Sequence, residues 1–111
     1  MNAPSIKVRA EIGGELQVLT FGTAFRIGRT EECEVCIKNE HVSRRHAEVA
    51  FDGNQWMVRD LQSANGIFVD DRRVPSVVVT TRVKVRLGIL GPFIEFLVVP
   101  RMAAPVEDGG A

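Results

Sequence analysis

Apolar and polar residues alternate along most of this chain with a period of two. The clearest stretch is Ile6–Ile12, which is followed by Gly13-Gly14 and then by the apolar-rich segment Leu16–Leu19. Such alternation is typical of a β-strand with one buried face, and the two glycines favour a tight turn. Helical periodicity is nearly absent, so the chain is predicted to begin with a β-hairpin.

Eight further segments have the composition or the alternation of short strands, and turn-forming residues separate them. They are Phe25–Ile27, Val35–Ile37, His46–Phe51, Gln55–Asp60, Ile67–Val69, Arg72–Val74, Val83–Leu87 and Phe93–Val99. Strands this short and this closely spaced are typical of a β-sandwich. The pattern therefore predicts an all-β fold with about ten strands.

The length of the chain favours a single domain. With 111 residues, of which 45% are hydrophobic, the chain can bury one core but hardly two. We expect residues 1–100 to form this domain. Residues 101–111 are rich in alanine, glycine and acidic residues, which is typical of a linker or tail, so we expect them to lie outside it.

The charge balance excludes some classes of partner. Lysine and arginine together number 14, as do aspartate and glutamate, so the chain has no overall field that would hold nucleic acid. The longest apolar stretches, Val77–Val79 and Phe93–Val99, are too short to span a membrane, and Met1–Ser5 lacks the features of a signal peptide. We therefore expect a cytoplasmic protein that neither binds nucleic acid nor inserts into a membrane.

Two cysteines raise the alternative of a metal site. Cys33 and Cys36 are followed by His41 and His46, so four possible zinc ligands lie within 14 residues. Structural zinc sites place a longer segment between the cysteine pair and the histidine pair. Cys36 also falls within a predicted strand, and His46 opens another. We therefore expect two reduced thiols, no metal and no cofactor.

Three short motifs place polar groups where apolar runs begin or end. They are Ile27-Gly28-Arg29, Ser43-Arg44-Arg45-His46-Ala47 and Ser63-Ala64-Asn65-Gly66-Ile67-Phe68-Val69. Arginine offers a planar fork of donors, serine a hydroxyl and asparagine an amide, and together these match a phosphate ester on a peptide. No carboxylate pair and no nucleophile with a base accompanies them, so we expect binding and not catalysis.

The order and the spacing of these motifs resemble those of the forkhead-associated (FHA) domain. Phe25-x-Ile27-Gly28-Arg29 is similar to its first signature, Ser43–Ala47 to its second and Asp60–Val69 to its third. The resemblance runs from about residue 21 to residue 74, and the flanking strands extend it over nearly the whole chain. It implies a sandwich of about eleven strands whose loops at one end bind a phosphothreonine peptide, usually one made by a Ser/Thr kinase.

The resemblance also implies roles for individual residues. Arg29 is similar to the family arginine that contacts the phosphate, and Ser43 to the serine whose hydroxyl joins it. Arg44 occupies the next position, where a family side chain often touches phosphate. Asn65 is similar to the asparagine that hydrogen-bonds the peptide backbone beside the phosphothreonine, so we expect these four residues to bind the phosphopeptide.

Five further residues are expected to shape the site: Gly28, His46, Ser63, Ala64 and Gly66. By the resemblance, the glycines permit tight backbone, and the imidazole of His46 bonds within the site and shapes the Ser43 loop. Ala64 departs from the family, because many members have a threonine or serine hydroxyl there, so one phosphate-side donor is expected to be missing. Ile67 stands where threonine is commoner, a change expected to affect only packing.

Together these features predict a phosphothreonine-dependent binding module of Ser/Thr kinase signalling, acting as the regulatory domain of a larger protein. The alternative is an assembly or scaffolding domain that uses the same sandwich without phosphate, and the substitution at Ala64 is the feature that favours it. The sequence identifies neither the kinase nor the phosphorylated partner, and it does not predict the oligomeric state.

Overall fold

A computed structural model of the chain describes residues 4–100, and eleven strands without a helix make up this part. The strands are β1 (Ser5–Ile12), β2 (Glu15–Phe21), β3 (Phe25–Gly28), β4 (Val35–Cys36), β5 (Ala47–Phe51), β6 (Trp56–Asp60), β7 (Ile67–Val69), β8 (Arg72–Val74), β9 (Ser76–Val79), β10 (Arg82–Leu87) and β11 (Phe93–Val99). The described part contains no helix that could cross a membrane.

The strands form two sheets that pack face to face. The first sheet has six strands in the order β2-β1-β11-β10-β7-β8, and the second has five in the order β4-β3-β5-β6-β9. All neighbouring strands are antiparallel except β3 and β4, which are parallel. The predicted all-β sandwich, with the number of strands that the family resemblance implies, is confirmed.

The core lies between the sheets and follows from the alternation in the sequence. In β1 the side chains of Ile6, Val8 and Ala10 are buried while those between them are exposed. The second sheet contributes Trp56 and Val58 of β6 from the opposite side. Trp56 is 1% exposed and therefore belongs to this core and not to a stacking surface.

One strand is missing from the sequence prediction. Ser76–Val79 forms β9, which pairs with β6 and ends the second sheet. Its valines lack the alternation that marks a half-buried strand, and Pro75 directly before it is a residue that usually interrupts one. The prediction treated this segment only as an apolar run.

Several predicted bounds were too wide by one residue. Ile37, His46 and Gln55 each lie one residue outside their strands. The amide of Ile37 donates to Gly28 O (2.8 Å) and that of His46 to Ile27 O (2.8 Å). Both bonds instead fasten the long β4–β5 connection onto β3.

Phe93 lies outside the core. The side chain of Phe93 is 50% exposed on the outer face of the first sheet. Its ring lies 4.5 Å from the guanidinium of Arg86 and 5.2 Å from the ammonium of Lys84, so it is covered by cations and not by the core.

The predicted linker, residues 101–111, lies outside the described residues, and the domain boundary at residue 100 stays a prediction.

A two-residue turn joins β7 to β8. Val69 pairs with Arg72, and Asp70 and Asp71 between them both have positive φ, 51° and 66°. This is the type I′ geometry that fits the twist of a hairpin and that favours glycine at its second position. An aspartate side chain is strained in this left-handed region.

We therefore expect Asp71→Gly to raise the free energy of unfolding, by up to about 1 kcal/mol, in urea denaturation followed by Trp56 fluorescence. Gly14→Ala is the matched control, because Gly14 has φ 84° and an added Cβ would meet nothing within 4 Å. Gly14→Ala should lower the free energy of unfolding by about 1 kcal/mol, and this loss measures the backbone strain at positive φ without any side-chain clash. Lower stability for Asp71→Gly would contradict the assigned turn.

Candidate functional site

Three connections meet at one end of the sandwich and form an open cleft. They are the β3–β4 loop (residues 29–34), the β4–β5 loop (37–46) and the β6–β7 loop (61–66). The cleft has a volume of ≈ 440 Å³. It is lined by side chains from all three loops: Arg29, Glu40, Val42, Ser43, Arg44, Arg45, Ala64 and Asn65. The structure thus brings all four predicted binding residues together.

Ser43 connects the three loops. Its carbonyl oxygen accepts from the backbone amide of Arg29 (2.9 Å), and its own amide donates to Nδ1 of His46 (3.0 Å). Its hydroxyl oxygen accepts from the backbone amide of Ala64 (3.0 Å). Because that hydroxyl is fixed as an acceptor towards Ala64, its proton can point into the cleft and be donated to a ligand.

Gly28 is required because the backbone of the β4–β5 loop passes directly against it. A Cβ at this position would overlap the carbonyl oxygen of Arg44 and would lie 2.7 Å from Sγ of Cys33. That carbonyl oxygen in turn accepts from Oγ1 of Thr30 (3.2 Å) and from Sγ of Cys33 (3.4 Å). The absence of a side chain at Gly28 therefore sets how close Arg29 and Arg44 come to each other.

The three arginines of the cleft differ in their partners. Nε of Arg45 lies 3.1 Å from a carboxylate oxygen of Glu32. Within residues 4–100, the guanidinium groups of Arg29 and Arg44 form no ion pair. Arg29 is half-buried and Arg44 is exposed. These two side chains therefore supply positive charge that is available to an anion, whereas that of Arg45 is already balanced.

His46 is fully buried beneath the cleft, and the hydrogen bonds of its ring define its protonation state. Because Nδ1 accepts from the amide of Ser43, the proton lies on Nε2, which donates to the carbonyl oxygen of Gly66 (2.7 Å). Burial lowers the pKa of the imidazole, and the charge of Arg73 lowers it further, against the opposing effects of Gly66 and Asp60. The ring is therefore neutral and joins two loops.

Ser63 closes the turn that presents Ala64 and Asn65. Its buried hydroxyl donates to a carboxylate oxygen of Asp60 (2.5 Å) and accepts from the amide of Gly66 (2.8 Å). Gly66 has φ 78°, and a Cβ there would overlap the side chain of Arg73. Both residues therefore hold the turn through contacts within the protein, and their site-shaping role stays a prediction.

The side chain of Asn65 is held by residues that lie outside the three motifs. Its Nδ2 donates to the carbonyl oxygen of His41 (2.9 Å), which leaves Oδ1 and the second amide proton for a ligand. Gly88 follows β10 and packs against this side chain, since a Cβ there would lie 2.9 Å from Cβ of Asn65. Sequence reasoning assigned no role to the β10–β11 loop (residues 88–92) beyond a break.

The β10–β11 loop also carries two exposed apolar side chains. The amide of Gly88 donates to Gly66 O (2.9 Å), which fastens the loop to the β6–β7 turn. Ile89 is 49% and Leu90 is 70% exposed. In the sequence, Ile89-Leu90 stands between Gly88 and Gly91. An apolar pair between two glycines is the signal from which this loop could have been considered as part of the site.

The cysteines and histidines do not converge. Sγ of Cys36 donates to the carbonyl oxygen of Arg29 (3.5 Å), while Sγ of Cys33 faces Arg44 O, and burial raises the pKa of the Cys33 thiol. Both ring nitrogens of His46 are occupied by the backbone. Residues 4–100 contain no group of three or more possible metal ligands.

Comparison with known proteins identifies a family. The family model described as "FHA domain" matches residues 25–88. The FHA domain-containing protein FhaB of Mycobacterium tuberculosis is 36% identical over 62 residues, which are 56% of this chain and 37% of FhaB. The chain thus spans little more than a third of this relative's length.

Solved structures agree with the match. The crystal structure of the M. tuberculosis Rv1747 FHA-1 domain superimposes with a TM-score of 0.73 at 27% identity, covering 88% of this chain and all of that one. A domain from a study of phosphothreonine-dependent FHA domain interactions gives a TM-score of 0.69 at 25% identity, covering 92% of this chain and 99% of that one.

The buried imidazole predicts a pH dependence. The unfolded histidine titrates near 6.5, and the native pKa is lower, so below about pH 6.5 the unfolded chain binds a proton that the native chain does not. The contribution of the neutral imidazole to the free energy of unfolding is therefore fully present above about pH 6.5. Below that pH the free energy of unfolding falls, by at most about 1.4 kcal/mol per pH unit. The carboxylates of Glu34 and Asp52 have lowered pKa values and titrate at more acidic pH.

The measurement is urea denaturation between about pH 7.5 and 5.5. His46→Asn should be less stable and should lose this slope, because the asparagine does not titrate. His41→Asn is the control and should keep the slope, since the side chain of His41 lies outside the buried network. An unchanged slope in His46→Asn would show that another group is responsible.

Proposed function

Because this chain belongs to the FHA domain family, we propose that it binds a phosphothreonine-containing peptide or protein in the cleft between its three loops. The proposal rests on one observation above all. The half-buried Arg29 and the hydroxyl of Ser43, which is oriented by the amide of Ala64, share a cleft with Arg44, whose guanidinium forms no ion pair within residues 4–100. A phosphate ester with a charge of about −1.5 to −2 fits this set of donors.

Each of the four predicted residues has a role in this proposal. Arg29 and Arg44 contribute charge-assisted bonds to the phosphate oxygens, and Ser43 donates its hydroxyl proton. Asn65, held by the carbonyl of His41, uses Oδ1 and its second amide proton to fix the backbone of the peptide beside the phosphothreonine.

The β10–β11 loop extends the site away from the phosphate. Because Gly88 packs on Asn65, a peptide bonded to this amide passes close to the exposed Ile89 and Leu90. We expect these residues to favour an apolar peptide side chain at that point. Affinity should then be moderate, near the micromolar range of about −8 kcal/mol, since a short peptide buries a small area.

The wider setting is part of the proposal. FhaB and the other curated relatives extend well beyond the matched region, so this domain is proposed to act as the regulatory part of a larger protein downstream of a Ser/Thr kinase. We propose that it is not an enzyme, since no nucleophile paired with a base lines the cleft in the part of the chain that the structure describes. The two free thiols favour a cytoplasmic location.

Phosphate dependence is tested by calorimetric titration of a phosphothreonine peptide and its unphosphorylated form. We expect binding only of the former. Arg29→Ala should cost about 1.5 to 3 kcal/mol, a roughly tenfold to more than hundredfold loss, because it removes bonds to a charged acceptor.

Arg45→Ala is the matched control, because its guanidinium lies in the same cleft but is paired with Glu32. It should cost less than about 1 kcal/mol. Equal losses in both variants would indicate a general charge effect and not a defined phosphate site. Equal binding of the two peptides would instead support the phosphate-independent assembly role.

Ala64 offers a test in the opposite direction. Ala64→Thr keeps the backbone amide that orients Ser43 and adds a hydroxyl at the rim of the cleft. We expect tighter binding of the phosphothreonine peptide, by at most about 1.5 to 3 kcal/mol. Ala64→Val, which has a similar shape without the hydroxyl, is the control. A gain in both variants would assign the effect to packing and not to a new hydrogen bond.

A further inference from the structure

The four edge strands of the sandwich, β2, β4, β8 and β9, differ in how well they are protected against pairing with another chain. β4 has two residues, β8 has three and carries Arg72 and Arg73, and β9 has four and follows Pro75. Short length, charge and proline are the usual means by which a sheet edge is kept from pairing with another chain. β2 is longer, contains no proline and carries a charge only at its first residue.

β2 is a long, exposed edge with an apolar outer face. It spans seven residues without lysine, arginine or proline, and its single charge, Glu15, stands at its beginning. Leu16 is 60% and Val18 is 56% exposed. Within residues 4–100 only β1 pairs with it, so its other edge is uncovered in the described part of the chain.

The hairpin turn determines which backbone groups face outwards. A two-residue turn at Gly13-Gly14 closes on Ile12 and Glu15 as a hydrogen-bonded pair, and such pairs then alternate along the hairpin. Every second residue from Glu15 therefore bonds to β1. The amides and carbonyls of Leu16, Val18 and Thr20 point away from the sheet and are available to another strand.

We propose that β2 pairs antiparallel with β2 of a second copy of this chain, with the two-fold axis at Val18. In this register Val18 faces Val18 of the other copy, and Leu16 faces Thr20 in both directions. All outward-facing backbone groups then meet as hydrogen-bonded pairs. The two six-stranded sheets become one continuous sheet, as an isologous interface requires.

The charges next to β2 fit this register. On β1, Glu11 lies beside Leu16, Arg9 beside Val18 and Lys7 beside Thr20. The two-fold axis therefore places Glu11 of each copy on the same row as Lys7 of the other, with the backbones about 14 Å apart, and the long side chains extend towards each other. Moving the axis to Leu19 would instead align Arg9 with Lys7 of the other copy.

The central row is also compatible with pairing. Arg9 is present in both copies on this row, and its guanidinium lies 3.6 Å from Glu95, a carboxylate that it shares with Arg82. Val18 of the two copies adds an apolar pair between these arginines. In this register the outer rows therefore carry opposite charges, and the like charges of the central row, Arg9 of each copy, lie about 14 Å apart at their backbones with a carboxylate beside each.

Pairing places the two clefts at opposite ends of the dimer. The beginning of β2 lies at the same end of the sheet as the β10–β11 loop, because Ala10 pairs with both Gln17 and Ile94. An antiparallel arrangement reverses this direction in the second copy. Such a dimer can hold two ligands that approach from opposite sides.

The first test is sedimentation of the full chain between about 10 μM and 1 mM. We expect a reversible dimer, which Val18→Lys weakens at least about tenfold by placing two ammonium groups at the axis. Val78→Lys is the matched control, since Val78 is 37% exposed on the edge strand β9, and it should leave the dimer intact. A monomer at all concentrations, or a dimer that Val18→Lys does not weaken, would overturn the proposal.

The second test addresses the register. Glu11→Lys and Lys7→Glu should each weaken self-association, because each brings like charges together on both outer rows. A mixture of the two variants should form a heterodimer, because both rows then carry opposite charges. If the mixture associates no better than either variant alone, the axis does not lie at Val18. Circular dichroism of every variant confirms that the sandwich is folded.

Discussion

The geometry of the cleft depends on one buried imidazole. His46 accepts a hydrogen bond from the amide of Ser43 and donates one to the carbonyl of Gly66, so a neutral ring joins the β4–β5 and β6–β7 loops. Neither a cationic ring nor the other tautomer can make both bonds, because the amide needs an acceptor and the carbonyl needs a donor. The positions of Ser43, Ala64 and Asn65 all follow from this bridge.

Most of the atoms that hold the loops are backbone atoms. Ser43 O, Arg44 O and His41 O accept hydrogen bonds that fix Arg29, Cys33 and Asn65 respectively. A site built this way is ordered before the ligand arrives, so less binding energy is needed to immobilise its loops. Close backbone approach of this kind is possible only where side chains are absent, as at Gly28.

The sequence predicted the fold well because alternation and turn chemistry are local properties. The β1–β2 hairpin can be recognised from Ile6–Ile12 and its two glycines alone. β9 could not, because a run of valines after Pro75 becomes a strand only through its pairing with β6. The exposure of Phe93 also depends on tertiary structure, since its cover comes from Lys84 and Arg86 on the neighbouring strand.

In the candidate site, too, some features follow from the local sequence and others depend on tertiary structure. The motifs predicted which residues would meet, and the structure places Arg29, Ser43, Arg44 and Asn65 around one cleft. The sequence could not predict which arginine is paired, because Glu32 lies 13 positions from Arg45 and approaches it only through the folding of two loops. It also could not predict the position of the β10–β11 loop, since packing against Asn65 depends on the pairing of β10 with β7.

The net charge of this protein is zero, but its positive and negative side chains are not paired evenly over the surface. Glu32 balances Arg45, and Glu95 accepts both Arg9 and Arg82 on the outer face of the first sheet. Glu40 also lines the cleft, but within residues 4–100 neither Arg29 nor Arg44 forms an ion pair, and this distinguishes them from the other arginines named here. The proposed phosphate ester would neutralise both guanidinium groups at once, whereas a ligand with a single negative charge would leave one of them unbalanced.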